Sequence, residues 1–158
     1  MKTLIRALAA AVLLAPTVLL ASGGGGGGGI SSAAPADPTL ERANQAIARS
    51  DWGSAQSTLK DAVARDPRNA DYRNLYAYSL RKGPNPDMSL VFEQYNEALR
   101  IDPKHKGANE YLGEAYLMVG NVPKAKEQLA TLDKICFFPC QEFSDLKKHI
   151  AEYEAKRQ

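Results

Sequence analysis

The chain has 158 residues, room for one domain once an N-terminal leader is set aside. Its 20 lysines and arginines face 18 acidic residues, and the balance becomes even if Lys2 and Arg6 leave with that leader. A chain so close to neutral has no global field to draw it to nucleic acid or to an anionic membrane, so nucleic-acid binding is set aside.

The chain opens with the parts of a secretory signal. Lys2 and Arg6 form a positive start, residues 7–20 an apolar run, and Ala21, Ser22 and Gly23 a small-residue processing site. The run is shorter than the about 20 residues that span a membrane, and Pro16 interrupts it. Leu19, Leu20, Ala21 and Ser22 resemble the end of a bacterial lipoprotein signal, but Gly23 stands where the lipidated cysteine belongs. The expectation is a signal peptide over residues 1–22 and a periplasmic or secreted protein. Contact with a membrane is expected only if this segment stays uncleaved as an anchor. Residues 23–36 begin with an unbroken glycine run and continue, after Ile30, in Ser, Ala and Pro, with too little apolar surface to offset the backbone entropy of folding. They are expected to form a flexible linker.

An internal repeat organises the rest. Ala62-Val63-Ala64-Arg65-Asp66-Pro67 recurs as Ala98-Leu99-Arg100-Ile101-Asp102-Pro103, and Leu132-Asp133-Lys134-Ile135 is a related ending. Pro67 and Pro103 are 36 residues apart; an expansion of about two residues in the turn at Gly83-Pro84-Asn85-Pro86 leaves a period of about 34. In the third segment Leu112, Gly113, Tyr116, Gly120, Ala125 and Leu129 follow one another at fixed offsets. The first supplies Ala43, Trp52, Ala55, Leu59, Ala62 and Pro67, and the second Ala77, Leu80, Tyr95, Ala98 and Pro103. This pattern resembles the tetratricopeptide-repeat (TPR) family over residues 37 to about 135. It departs from the family at Val91, where a small residue is usual, and at the expanded turn.

The resemblance implies an all-α fold: a short right-handed α-solenoid of about three TPR helix pairs over residues 37–138. Small residues let neighbouring helix backbones approach, large ones fill the space between, and the prolines stop each second helix. After Pro139 a capping helix over residues 139–158 is expected, because Phe143, Leu146, Ile150 and Tyr153 fall on one helical face.

Little in the sequence points to catalysis. His105 and His149 sit in no metal or catalytic motif, His105 reads as a solvated turn residue, and the glycine run lacks the Lys-Ser/Thr of a phosphate loop. The chain is therefore not expected to be an enzyme, and neither a cofactor nor a metal is expected. Cys136 and Cys140 enclose Phe137, Phe138 and Pro139, and in an oxidising compartment two cysteines so close are expected to pair. A copper- or thiol-handling role for the same pair stays open as the alternative.

The resemblance also implies a concave groove lined by the first helix of each repeat. Carried onto this sequence, it comprises Asn44 and Ile47, then Asn74, Tyr78, Arg81 and Lys82, then Glu110, Glu114 and Leu117. Asn74 matches the asparagine with which many family members hold a peptide backbone. The groove is expected to be basic on the second repeat and acidic on the third, unlike the basic clamp of chaperone-tail binders. The function implied is binding of an as yet unidentified protein or peptide, as an adaptor or scaffold in the bacterial cell envelope.

Overall fold

Each helix but the last starts where a polar side chain can replace a missing backbone partner. In the computed structural model, which describes residues 37–157, the N-caps Asp37, Asp51, Asn69, Asp87, His105 and Asn121 each accept a backbone N–H from the first turn that follows. The signal and linker expected over 1–36 lie outside the described residues. The helices are α1 (Pro38–Ala48), α2 (Trp52–Arg65), α3 (Ala70–Lys82), α4 (Met88–Ile101), α5 (Lys106–Met118), α6 (Val122–Ile135) and α7 (Gln141–Ala155). His105, expected as a solvated turn residue, instead caps α5: its Nδ1 accepts from the Ala108 N–H at 3.1 Å, and its Nε2 lies 3.1 Å from Asp71 Oδ1.

The turns repeat as the sequence does. Ser50 and Gly120 adopt positive φ, 55° and 78°, at equivalent places in the first and third hairpins. The Asp51 N–H then reaches back to Ala46 O at 2.9 Å, and the Asn121 N–H to Tyr116 O at 2.8 Å. These six-to-one bonds end α1 and α5 in the same way. The second hairpin turns through the longer segment between Lys82 and Met88, with Asn85 at φ 54°.

Consecutive helices pack in pairs, and the pairs stack. α1 touches α3, α3 touches α5, and α5 touches α7, whereas among the described residues α2, α4 and α6 do not touch one another. One layer is close-set and the other splayed, so the stack curves towards α1, α3, α5 and α7. That layer is the concave face.

The small residues sit where helices approach most closely: Ala43, Ala55, Ala77, Ala98, Ala115 and Ala125 are all 0 % exposed. Leu59, Tyr95, Leu112, Leu132 and Leu146 fill the intervening space. Val91, the departure from the small-residue pattern, is also buried and packs with Ala77, Tyr95, Leu112 and Ala115. The stripe expected on the last helix is present: Leu146 and Ile150 are buried with Leu117, Ala125 and Leu132, and Phe143 and Tyr153 pack against them. Gly113 allows this docking. A Cβ there would stand 2.5 Å from Leu146 Cδ2 and 2.7 Å from its Cδ1.

Cys136 and Cys140 are joined by a disulfide across the α6–α7 connection, with their Cα atoms 5.8 Å apart. The bond closes a short loop between two well-packed helices. Replacing both cysteines with serine is expected to cost about 2 kcal/mol on the chain-entropy model while α7 keeps its apolar contacts. Urea unfolding of the double variant measures this; an unchanged midpoint would show that the bond does not constrain the unfolded chain.

Candidate functional site

On the concave face the stretch formed by α3, α5 and α7 holds an arginine inside it. Arg81 is 6 % exposed and points at Glu114, with Nη2 2.6 Å from Oε2. That contact is a close charge pair without good hydrogen-bond alignment, since Nη2 lacks a geometrically formed bond. Arg81 Nε also donates to the Tyr95 hydroxyl at 3.4 Å, and the guanidinium lies 5.6 Å from the Tyr78 ring centroid and 5.7 Å from that of Tyr111. Burial works against its charge, but Tyr95 and Glu114 more than offset this and raise the guanidinium pKa above its ordinary value. Burial also pushes the Tyr95 hydroxyl far up, so it is held as a neutral phenol.

Three aromatic rings continue the surface. Trp52 meets Tyr78 edge-on at 6.3 Å between centroids, and Tyr78 meets Tyr111 at 4.8 Å. Tyr78 is thus half-buried and structural as well as available to a partner. Its replacement would also loosen the packing around Arg81.

Acidic groups collect between α5 and α7. Glu110 is 7 % exposed; burial, then the nearby Glu114, Asp145 and Glu142 carboxylates, push its pKa up to about 8, with Arg81 opposing. Glu114 is shared between Arg81 on α3 and the His149 ring on α7, whose Nδ1 lies 2.9 Å from Oε1. Sequence reasoning marked the apolar stripe of this helix and did not place Glu142, Asp145 or His149 in the groove; these lie on another side of it. The structure turns that side towards the groove, so α7 behaves as the first helix of a further repeat.

Asn74 is 5 % exposed, and its Oδ1 has no hydrogen-bond partner among the described residues. Its amide faces Gly107, where an added Cβ would come within 3.3 Å of Nδ2. Gly107 lies one turn before Glu110 on α5.

The remaining groove candidates divide. Asn44 and Lys82 are exposed and Ile47 is half-buried. Leu117 is 7 % exposed and belongs to the apolar cluster beneath α7, because α7 covers the end of α5. The expected separation into a basic second repeat and an acidic third is also changed, since Arg81 is committed to Glu114 and only Lys82 stays exposed as a cation on that stretch of α3.

Two further features lie away from the groove. Phe137 and Phe138, inside the disulfide loop, are 94 % and 75 % exposed and meet edge-to-face at 5.0 Å. Beside them an open hollow of about 500 Å³ is lined by Pro139, Phe143, Ser144, Lys147, Lys148 and Ala151. It rests almost wholly on α7 and shares none of the groove residues named above. No group of three or more metal-ligating side chains is gathered among the described residues, nor is any described helix long and apolar enough to cross a membrane.

No protein-family model matches this sequence, and no curated protein matches it. Solved structures do. The chain is similar to the TPR2B domain of yeast Sti1 in its pHsp70 complex, at 16% identity and a TM-score of 0.63, covering 76% of this chain and 96% of that one. It is also similar to the Yersinia enterocolitica type III secretion translocator chaperone SycD, at 11% identity and a TM-score of 0.65, over 76% of this chain and 83% of that one. SycD in complex with a peptide of the translocator YopD aligns at 14% identity and a TM-score of 0.61, over 78% and 98%. The fold is that of TPR-type helical solenoids.

Proposed function

We propose that this chain is a protein- or peptide-binding adaptor of the bacterial cell envelope, and that the concave face of α3, α5 and α7 is its binding surface. The observation that carries the reading is the pair of half-buried rings on the concave layer, Tyr78 on α3 and Tyr111 on α5, 4.8 Å apart between centroids, which offer a flat amphipathic surface one turn from Asn74. Similar folds in complexes, the Sti1 domain with pHsp70 and SycD with a peptide of YopD, lend support at the level of architecture. The role is one of binding, with no reaction assigned to it. Placement in the envelope rests on the charged start, apolar run and small residues at the N-terminus. Mass spectrometry of fractionated cells tests it: a mature N-terminus near residue 23 is expected, and an intact Met1 in the cytosol would overturn it.

Asn74→Ala gives the sharper test of the groove. Removing a buried acceptor that lacks a partner relieves a cost of about 1–3 kcal/mol and offsets the packing lost, so the variant is expected to stay folded. Affinity for a partner recovered from envelope extract should fall by about 1 kcal/mol or more. Isothermal titration with the purified partner reads this directly. Normal binding by Asn74→Ala, with loss on mutating the splayed layer of α2, α4 and α6, would place the site elsewhere. The alternative, copper or thiol handling, needs free thiolates, and Cys136 and Cys140 are bonded to each other.

A further inference from the structure

We infer that the disulfide loop between α6 and α7, with the basic side of α7 next to it, docks on the surface of an anionic phospholipid bilayer. Phe137 and Phe138 enter the boundary of the hydrocarbon, and Lys147 and Lys148 meet lipid phosphates. The inference uses none of the groove residues and stands or falls apart from the groove reading.

The two rings lead there. Phe137 and Phe138 are 94 % and 75 % exposed, and they belong to none of the apolar clusters of the solenoid. Two phenylalanines left in water forgo the transfer energy that the buried side chains gain. The bond between Cys136 and Cys140 closes the loop beneath them, so both rings sit at a tip whose base is fixed. Between the cysteines the loop carries no charge, only Phe137, Phe138 and Pro139. An uncharged protruding tip suits a fluid apolar phase, which needs no preformed recess to receive it.

Charge on α7 says which surface covers the tip. Lys147 and Lys148 line the hollow beside Pro139 together with Phe143, Ser144 and Ala151. At about 100° per residue these positions share a side of α7 about 140° wide, and Glu142, Asp145 and His149 fall outside it. Lys147 takes part in no ion pair among the described residues; its ammonium stands 5.8 Å from the Phe143 ring centroid. Lys148 has Glu152 at 3.8 Å, with both side chains more than half exposed. Glu154, on the same side further along, is bound to Lys126 at 2.7 Å. At the end of α6 the exposed Asp133 and Lys134 offset one another. The local excess is therefore positive, although the chain as a whole is nearly balanced.

The two features reinforce each other. A lysine close to an anionic membrane strengthens binding by about fivefold, and its apolar stem can lie along the hollow while the ammonium reaches a phosphate. One weak signal holds a protein to a bilayer only marginally, whereas an apolar anchor joined to basic residues supplies two. A protein partner would have to bring a recess for both rings and acids for both lysines. An anionic bilayer presents both along its whole surface.

The test moves the chain's one tryptophan into the loop, as Trp52→Phe combined with Phe138→Trp. With vesicles of phosphatidylglycerol and phosphatidylethanolamine, its emission should shift to shorter wavelength and be quenched by lipids brominated on the acyl chain. The readout sits in the loop, so binding through the N-terminal apolar run would not by itself produce it. Partition into phosphatidylcholine vesicles should be about tenfold weaker. Adding Lys147→Gln and Lys148→Gln, or raising salt to about 0.5 M, should remove that difference. Phe137→Ser should weaken partition about tenfold in either lipid. Emission that anionic vesicles leave unchanged would overturn the inference, as would equal partition into both lipids. Sedimentation without vesicles separates the other occupants. A dimer that Phe137→Ser dissolves would assign the rings to a second copy. Loss of an envelope protein in Phe137→Ser, with no response to vesicles, would assign them to that protein. Either result overturns docking on lipid.

Discussion

Arg81→Met is expected to lower unfolding stability by about 3 kcal/mol, more than any other change of a charged residue in the described chain. The arginine is almost fully buried and compensates Glu114, beside which Glu110 already carries a strongly perturbed carboxyl. Methionine fills much of the volume but leaves Glu114 without its guanidinium partner, with the His149 ring as its other close neighbour. Arg81→Met combined with Glu114→Gln should recover a large part of the loss, because no uncompensated charge is left behind. Urea unfolding of the single and double variants at about pH 8 measures both effects. A loss under about 1 kcal/mol at pH 8 would mean that the pair is solvated and that the concave face is wetter than its burial implies.

The second large effect is expected at Leu146. It is 0 % exposed and its two methyl groups rest on the backbone of Gly113. Leu146→Ala should cost about 3 kcal/mol, the lost transfer energy plus a cavity that the rigid α5 backbone cannot close. α7 would loosen first, since Leu146 and Ile150 are its two buried residues. Gly113→Val should also destabilise, by about 1–3 kcal/mol, because its side chain would enter the space those methyls occupy. The pair makes the argument falsifiable. In Leu146→Ala combined with Gly113→Ala, the new methyl enters vacated space and alanine favours the helix by about 1 kcal/mol over glycine. The double variant is therefore expected to be more stable than Leu146→Ala alone, a coupling that thermal unfolding of the four proteins would reveal. Simple additivity with Gly113→Ala destabilising in both backgrounds would show that α7 does not dock through this contact.

The solenoid was readable without coordinates because its information is local. Helix phase, small residues at closest approach, proline after Asp66 and Asp102, and the Phe143–Leu146–Ile150–Tyr153 stripe each involve residues within a few turns of one another. Many of the residues so chosen are buried: Ala55, Leu59, Ala62, Tyr95, Ala98, Leu112 and Ala125 are all at or below 1 % exposure, whereas Trp52, Leu80, Tyr116 and Leu129 are half-buried. The cysteine pairing was likewise local, four positions apart on either side of a proline.

The character of the concave face was not local. Periodicity put Arg81 and Glu114 on groove-facing helices, yet whether they are separate patches or one neutralised pair depends on the distance between α3 and α5. Leu117 was assigned to the groove by position, and it is the docking of α7 over the end of α5 that buries it. The same docking turns Glu142, Asp145 and His149 towards Glu110 and Glu114. A sequence specifies which face of each helix is apolar, since that follows from a spacing of 3.6 residues per turn. It does not by itself say which polar groups from different helices meet at a shared desolvated place, and there the sign of the groove and the protonation of Glu110 are decided.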